Sequence, residues 1–181
     1  MATLPRYDLP QQKFVPVEEY LNTVYEPDCD YVDGRLEERN LGELDHGVLQ
    51  GLIVNIFLNN RAIWGVFPSP ETRVQVKPRN FRVPDVTVLR SGTPREQILT
   101  HAPLLVIEIL SPKDRLKLVS KRNVDYIQFG IPNIWVIDPQ TRQAWYDSAD
   151  GLNAVTSGEL NIPGTPIRIV LSELFAELDS I

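Results

Sequence analysis

Apolar residues recur along this chain with two different periods, and a few acids interrupt them. Within residues 42–59, Leu44, Val48, Leu52 and Ile56 return every fourth position, and Leu49, Ile53 and Phe57 widen the stripe. That spacing predicts a helix with a broad apolar face, suited to packing on a sheet. Asn40, with Glu43 three residues on, predicts a capping box at its start. A second helix is predicted over about residues 114–129, stopped by Gly130 and Pro132. Residues 104–110 are apolar on both alternating faces and predict a strand buried on both sides, central in a sheet. Residues 133–139 predict another strand, and the intervening helix makes the two parallel neighbours.

The remaining elements are shorter. Residues 17–21 after Pro16 read as a helix, and residues 30–38 as a hairpin turning at Asp33-Gly34. Residues 73–76 and 82–89 read as strands joined through a turn at Arg79-Asn80, and residues 90–100 as loop or short helix. A closing hairpin turns at Asp150-Gly151, and residues 167–170 and 171–178 finish the chain. The pattern is a mixed α/β sheet. Residues 1–15, with Pro5 and Pro10, are expected to be an arm, and residues 16–181 one domain.

Glu108 breaks the most apolar strand and shares a face with Val106 and Leu110. A buried carboxylate there must be paired, metal-bound or near an opening, because isolated burial of the charge costs several kcal/mol. Asp85, near the start of the strand over residues 82–89, is a candidate partner; on its own it also reads as a strand-end acid beside a turn. Two acids at the ends of adjacent central strands suit Mg²⁺, or Mn²⁺, with water and substrate phosphate completing the shell. Such an ion activates water and offsets the charge developing in phosphodiester cleavage. The second helix supplies cations in Lys113, Arg115, Lys117, Lys121 and Arg122. A structural ion pair from Glu108 to Lys121 or Arg122 is the alternative that needs no chemistry.

The chain has 181 residues and a formal net charge of −6, which weighs against non-specific coating of nucleic acid without excluding local basic surface. A single cysteine, Cys29, excludes an internal disulfide, and no apolar stretch has the length of a membrane span. A cytoplasmic location is expected, with no membrane partner.

Pro84-Asp85, then Glu108-Ile109-Leu110-Ser111-Pro112, the basic helix, the run 126–132 from Tyr126 to Pro132 and the run 135–139 from Trp135 to Pro139 resemble the Uma-type family. These are restriction-endonuclease-like proteins of the PD-(D/E)XK nuclease superfamily, and the resemblance covers about residues 18–175. It implies an αβββαβ core and a Mg²⁺-dependent DNA endonuclease. On it Asp85 and Glu108 are metal ligands, with the Ile109 carbonyl as a third. The superfamily's Lys is expected two residues after the Glu, where this chain has Leu110. In the Uma-type pattern that Lys falls four residues before the Tyr, at Arg122, with Lys121 beside it, so the catalytic cation is expected from Lys121 or Arg122. The resemblance also assigns His46 to substrate phosphate or the metal's outer shell. Lys113 and Lys117 are expected to face the DNA backbone. A homodimer follows if both strands are cut. An inactive nuclease fold acting as a DNA-binding or interaction module is the other reading, since Arg does not deprotonate as Lys can.

Overall fold

The computed structural model describes residues 14–25, 29–39 and 43–181. Its centre is a six-stranded mixed sheet in the order β10-β9-β8-β7-β6-β3. The strands are β3 (Val66–Pro70), β6 (Val86–Arg90), β7 (Leu105–Ile109), β8 (Ile134–Asp138), β9 (Gln143–Ser148) and β10 (Gly151–Ala154). As the two apolar runs require, β7 lies inside the sheet, every one of its residues is buried, and it pairs parallel with β8. All its other pairings are antiparallel.

The alternation of side chains on β7 sorts the two cores. Leu105, Ile107 and Ile109 face α2 (Leu44–Trp64) and α4 (Leu171–Leu178), packing with Leu49, Ile53, Phe57, Leu174 and Phe175. On the opposite face Val106 packs with Tyr126 of α3 (Leu116–Phe129), while Leu110 meets Val119 and Val136. Glu108 stands on this second face.

A four-stranded sheet, β2-β1-β5-β4, is built from β1 (Cys29–Val32), β2 (Arg35–Glu38), β4 (Val74–Lys77) and β5 (Asn80–Arg82). Tyr31 and Phe81 of this sheet pack on Tyr20 of α1 (Val17–Leu21) and on Val15, whose amide donates to the Gly34 carbonyl at 2.9 Å. β11 (Glu159–Asn161) and β12 (Arg168–Val170) pair separately. Among the described residues, no helix is long and apolar enough to cross a membrane.

Several expectations need correction. The predicted strand over residues 82–89 is two strands in two sheets: β5 ends at Arg82 and β6 begins at Val86. Pro84 between them has no N–H to give a ladder, and the Val83 amide donates to Asp30 Oδ1 instead. Helix α2 starts at Leu44 with Glu43 as its N-cap and no side-chain cap bond, so Glu43 is not the third helical residue that a capping box requires. Asn40 lies outside the described residues, as do residues 1–13 of the expected arm. The helix's buried line is Leu49, Ile53 and Phe57, while Leu44 is 71% exposed, so the stripe's centre sits one position on from the one chosen. Asn80 opens β5 rather than sitting in a turn, and the last hairpin pairs Ser148 with Gly151, placing its turn at Ala149-Asp150.

Candidate active site

Asp85 sits at the seam between the two sheets, just before β6. Extending the β6–β7 register, in which Val86 faces Ile107, sets Asp85 opposite Glu108. The two carboxylates are 3% and 4% exposed by residue. The central strands thus bring the two acids side by side at one end of the sheet.

Each acid is held differently. Asp85 Oδ1 accepts from Arg39 Nη2 at 2.5 Å, and Oδ2 accepts from the Ile109 amide at 2.7 Å. His46 Nε2 lies 3.4 Å from the same Oδ2. Gln50, one turn beyond His46 on α2, donates to the Asp85 carbonyl at 2.8 Å, and the Glu71 amide donates there at 3.2 Å. Burial alone would raise the Asp85 pKa. The contact with His46, the Arg39 charge and the Ile109 amide outweigh burial and hold the carboxyl below the ordinary range. For His46, burial disfavours the charged ring, but Asp85 dominates and its pKa rises above the usual value.

Glu108 is less well neutralised. Oε1 accepts from the Tyr126 hydroxyl at 2.8 Å, and Oε2 lies 3.3 Å from Arg122 Nη2. Arg122 and Tyr126 are four apart on α3, so one helical face delivers both. Burial dominates and, with Asp85 adding to it against the pull of Arg122, pushes the Glu108 pKa up to about 7.

The donor set fits a hard divalent cation. Two carboxylates, one on β7 and one just before β6, offer oxygen ligands, and burial disfavours the Glu108 charge more than Arg122 and Arg39 favour it. Among the described residues, no group of three His, Cys, Asp or Glu side chains is gathered to hold a metal. A cation here would draw on two acids plus water and substrate oxygens, the habit of Mg²⁺ rather than of a closed structural ion.

The other expected residues divide. His46 and Arg122 are brought to the carboxylates. Lys121 is exposed and, among the described residues, forms no ion pair, so of the two neighbours it is Arg122 that meets Glu108. Lys113 and Lys117 are exposed around the start of α3, away from any described ion pair. Ile109 contributes its amide to Asp85. Leu110, in place of the superfamily's Lys, is 6% exposed in the apolar cluster with Val119 and Val136.

Three contacts escaped the sequence reading. Arg39 follows the first hairpin, and no local pattern marks it. Gln50 and Tyr126 were detectable in principle, each four residues from a candidate already chosen on its helix.

Comparison with known proteins agrees with the architecture. A family model described as "Uma2: Putative restriction endonuclease" matches residues 17–163. A crystal structure of a putative nuclease belonging to DUF820 from Anabaena variabilis is similar in fold, with a TM-score of 0.76 and 22% identity, covering 93% of this chain and 99% of that one. A cryo-EM structure of a DrdV–DNA complex is more distant, at a TM-score of 0.39 and 16% identity over 70% of this chain and 11% of that one. No curated protein matches the sequence.

Proposed function

The chain belongs to the Uma2 family of restriction-endonuclease-like proteins, and on that footing we propose that it is a Mg²⁺-dependent nuclease hydrolysing phosphodiester bonds in DNA. The observation that carries this reading is the pair of buried acids, Asp85 just before β6 and Glu108 on the neighbouring β7, which the extended β6–β7 register sets side by side. Bound between them, Mg²⁺ would supply an activated water and neutralise charge on the scissile phosphate.

The chain's own groups have separable tasks. Asp85 and Glu108 hold the ion. His46 and the Ile109 amide fix the orientation of Asp85, and Tyr126 fixes Glu108. Arg122, permanently charged, stabilises the phosphorane-like charge without taking a proton. Lys113 and Lys117 meet the DNA backbone from the start of α3. Cutting both strands of a duplex needs two such sites, which a homodimer would provide.

The test is Mn²⁺ calorimetry beside cleavage of plasmid DNA, for wild type, Asp85→Asn and Glu108→Gln. Loss of both binding and cutting in each variant is expected. Cutting that survives in both would remove these acids from the mechanism.

The Arg122–Glu108 ion pair favours a second reading, a nuclease fold retained for binding alone. It predicts DNA binding by the wild type with no dependence on divalent cation.

A further inference from the structure

Arg39 has no role in the steps above, yet it makes the shortest contact to Asp85. Resting on the reading that Asp85 and Glu108 hold a divalent cation, we propose that Arg39 is a phosphate-binding residue, kept on Asp85 until that cation displaces it and received by Glu71 at the rim.

The geometry is that of a guanidinium with two destinations. Its Nη2 lies on Asp85 Oδ1 at 2.5 Å, while its Nη1 is 3.9 Å from Glu71 Oε1. The Arg39 side chain is 17% exposed and that of Glu71 is 58% exposed, so the second destination faces solvent. Glu71 is positioned for this. Its backbone takes a left-handed φ of 48°, uncommon for a residue with a side chain. Its amide, donating to the Asp85 carbonyl, ties that conformation to the site.

Electrostatics sets the order of events. Oδ1 is the Asp85 oxygen free of the Ile109 amide and of His46, so it is the one open to a metal once Arg39 leaves. A doubly charged ion held by Asp85 would repel the guanidinium that shares the carboxylate. Arg39 follows β2, in the four-stranded sheet, so its departure breaks no hydrogen bond of the strands carrying the two acids. Once turned to Glu71, its planar fork is displayed at the mouth of the site, where it can take two phosphate oxygens at once. Before metal arrives, the same residue offsets the Asp85 charge and favours the ionised acid in its buried setting.

Three variants test this: Arg39→Gln, Glu71→Gln and the double variant. Each is titrated with Mn²⁺ by calorimetry, alone and with a short mixed-sequence DNA duplex, and its duplex affinity is followed by anisotropy in Ca²⁺ over a range of salt. Arg39→Gln should bind Mn²⁺ several-fold more tightly. It should also bind DNA more weakly, with a salt slope smaller by about one. Glu71→Gln should bind Mn²⁺ more weakly, because Arg39 then stays on Asp85. In the double variant the effect of Glu71→Gln should vanish. Weaker Mn²⁺ binding in Arg39→Gln, or an unchanged salt slope, overturns the proposal and leaves Arg39 a support for Asp85. Glu71 is exposed, so its variant keeps the test decisive if Arg39→Gln does not fold: unchanged or tighter Mn²⁺ binding there also overturns it. A wild type that binds no Mn²⁺ with or without duplex overturns the metal reading and this inference together, whereas wild-type binding with the wrong response to Arg39→Gln overturns this inference alone.

Discussion

Two clusters of buried charge lie close together in this protein, and they are built inside out from one another. In the first, a cation is at the centre. Arg82, its side chain 6% exposed, donates to Asp30 at 2.9 Å, to Glu37 at 2.6 Å and to Asp125 through two nitrogens at 2.7 and 2.9 Å. Lys77 adds a contact to Asp125 at 3.0 Å. In the second, two anions are at the centre and the cations stand around them, with Arg122 no closer than 3.3 Å to Glu108. A guanidinium ringed by carboxylates is close to complete, because its donors are fixed in a planar fork and Nε, Nη1 and Nη2 all reach a carboxylate oxygen. Two buried carboxylates side by side are not, since each raises the cost of ionising the other. The first cluster staples α3 to the four-stranded sheet; the second holds the two acids on which the proposed function rests.

The sharpest way to break that contrast is Arg82→Met. It strands buried carboxylates, and stability should fall by about 3–5 kcal/mol in urea denaturation. A loss under about 1 kcal/mol would show that the cluster is not a staple.

Glu108→Gln should do the opposite at neutral pH. The folded-state pKa, about 7, lies above the ordinary 4.5, so the protonated form favours the fold. That contribution is complete below about pH 4.5 and is lost as pH rises through about 7. Its full size is on the order of 3 kcal/mol. In chelator, wild-type stability should therefore decline from pH 5 to 8 more steeply than that of Glu108→Gln. Equal slopes would show that Glu108 is already neutralised, as Asp125 is by Lys77 and Arg82.

Tyr126→Phe removes one hydrogen bond from the buried Glu108, for a cost of about 1–2 kcal/mol. It should also move the midpoint of that pH decline upward, because the lost bond favours the ionised acid. A midpoint that stays in place would count against the Tyr126–Glu108 bond. The smallest effect is expected for Lys117→Ala, within about 0.5 kcal/mol in stability, with only the salt dependence of DNA binding reduced. A stability loss beyond that would mean Lys117 is part of the packing and not a free surface charge.

The sequence carried the sheet's centre because period and length agreed there: β7 and β8 are apolar on both faces, and the helix between them left one parallel arrangement. It made Glu108 conspicuous as an acid in a buried run, whereas Asp85 stood out through the Pro84-Asp85 pair of the family pattern. It did not carry the break at Pro84, since 82–89 alternates well enough to pass for one strand, and the change of sheet rests on non-local pairings and on the bond from Val83 to Asp30. Arg39 was hidden for a related reason. Its partner is 46 residues away, and no local periodicity encodes a contact across two sheets. The choice between Lys121 and Arg122 turned on helix rotation, which Asn123 and Tyr126 fix by being buried against the sheet.

The placement of Asp85 at the seam also has a consequence for timing. Its partners reach it across long stretches of chain: Arg39 from 46 residues before, the Ile109 amide from 24 after, while Tyr126 closes on Glu108 from 18 beyond. Such contacts form late, after the loops between them have closed. A chain emerging from the ribosome presents Asp85 well before Glu108, and Glu108 before the helix that steadies it. The pair of acids is therefore assembled only when the contacts between the two sheets have formed.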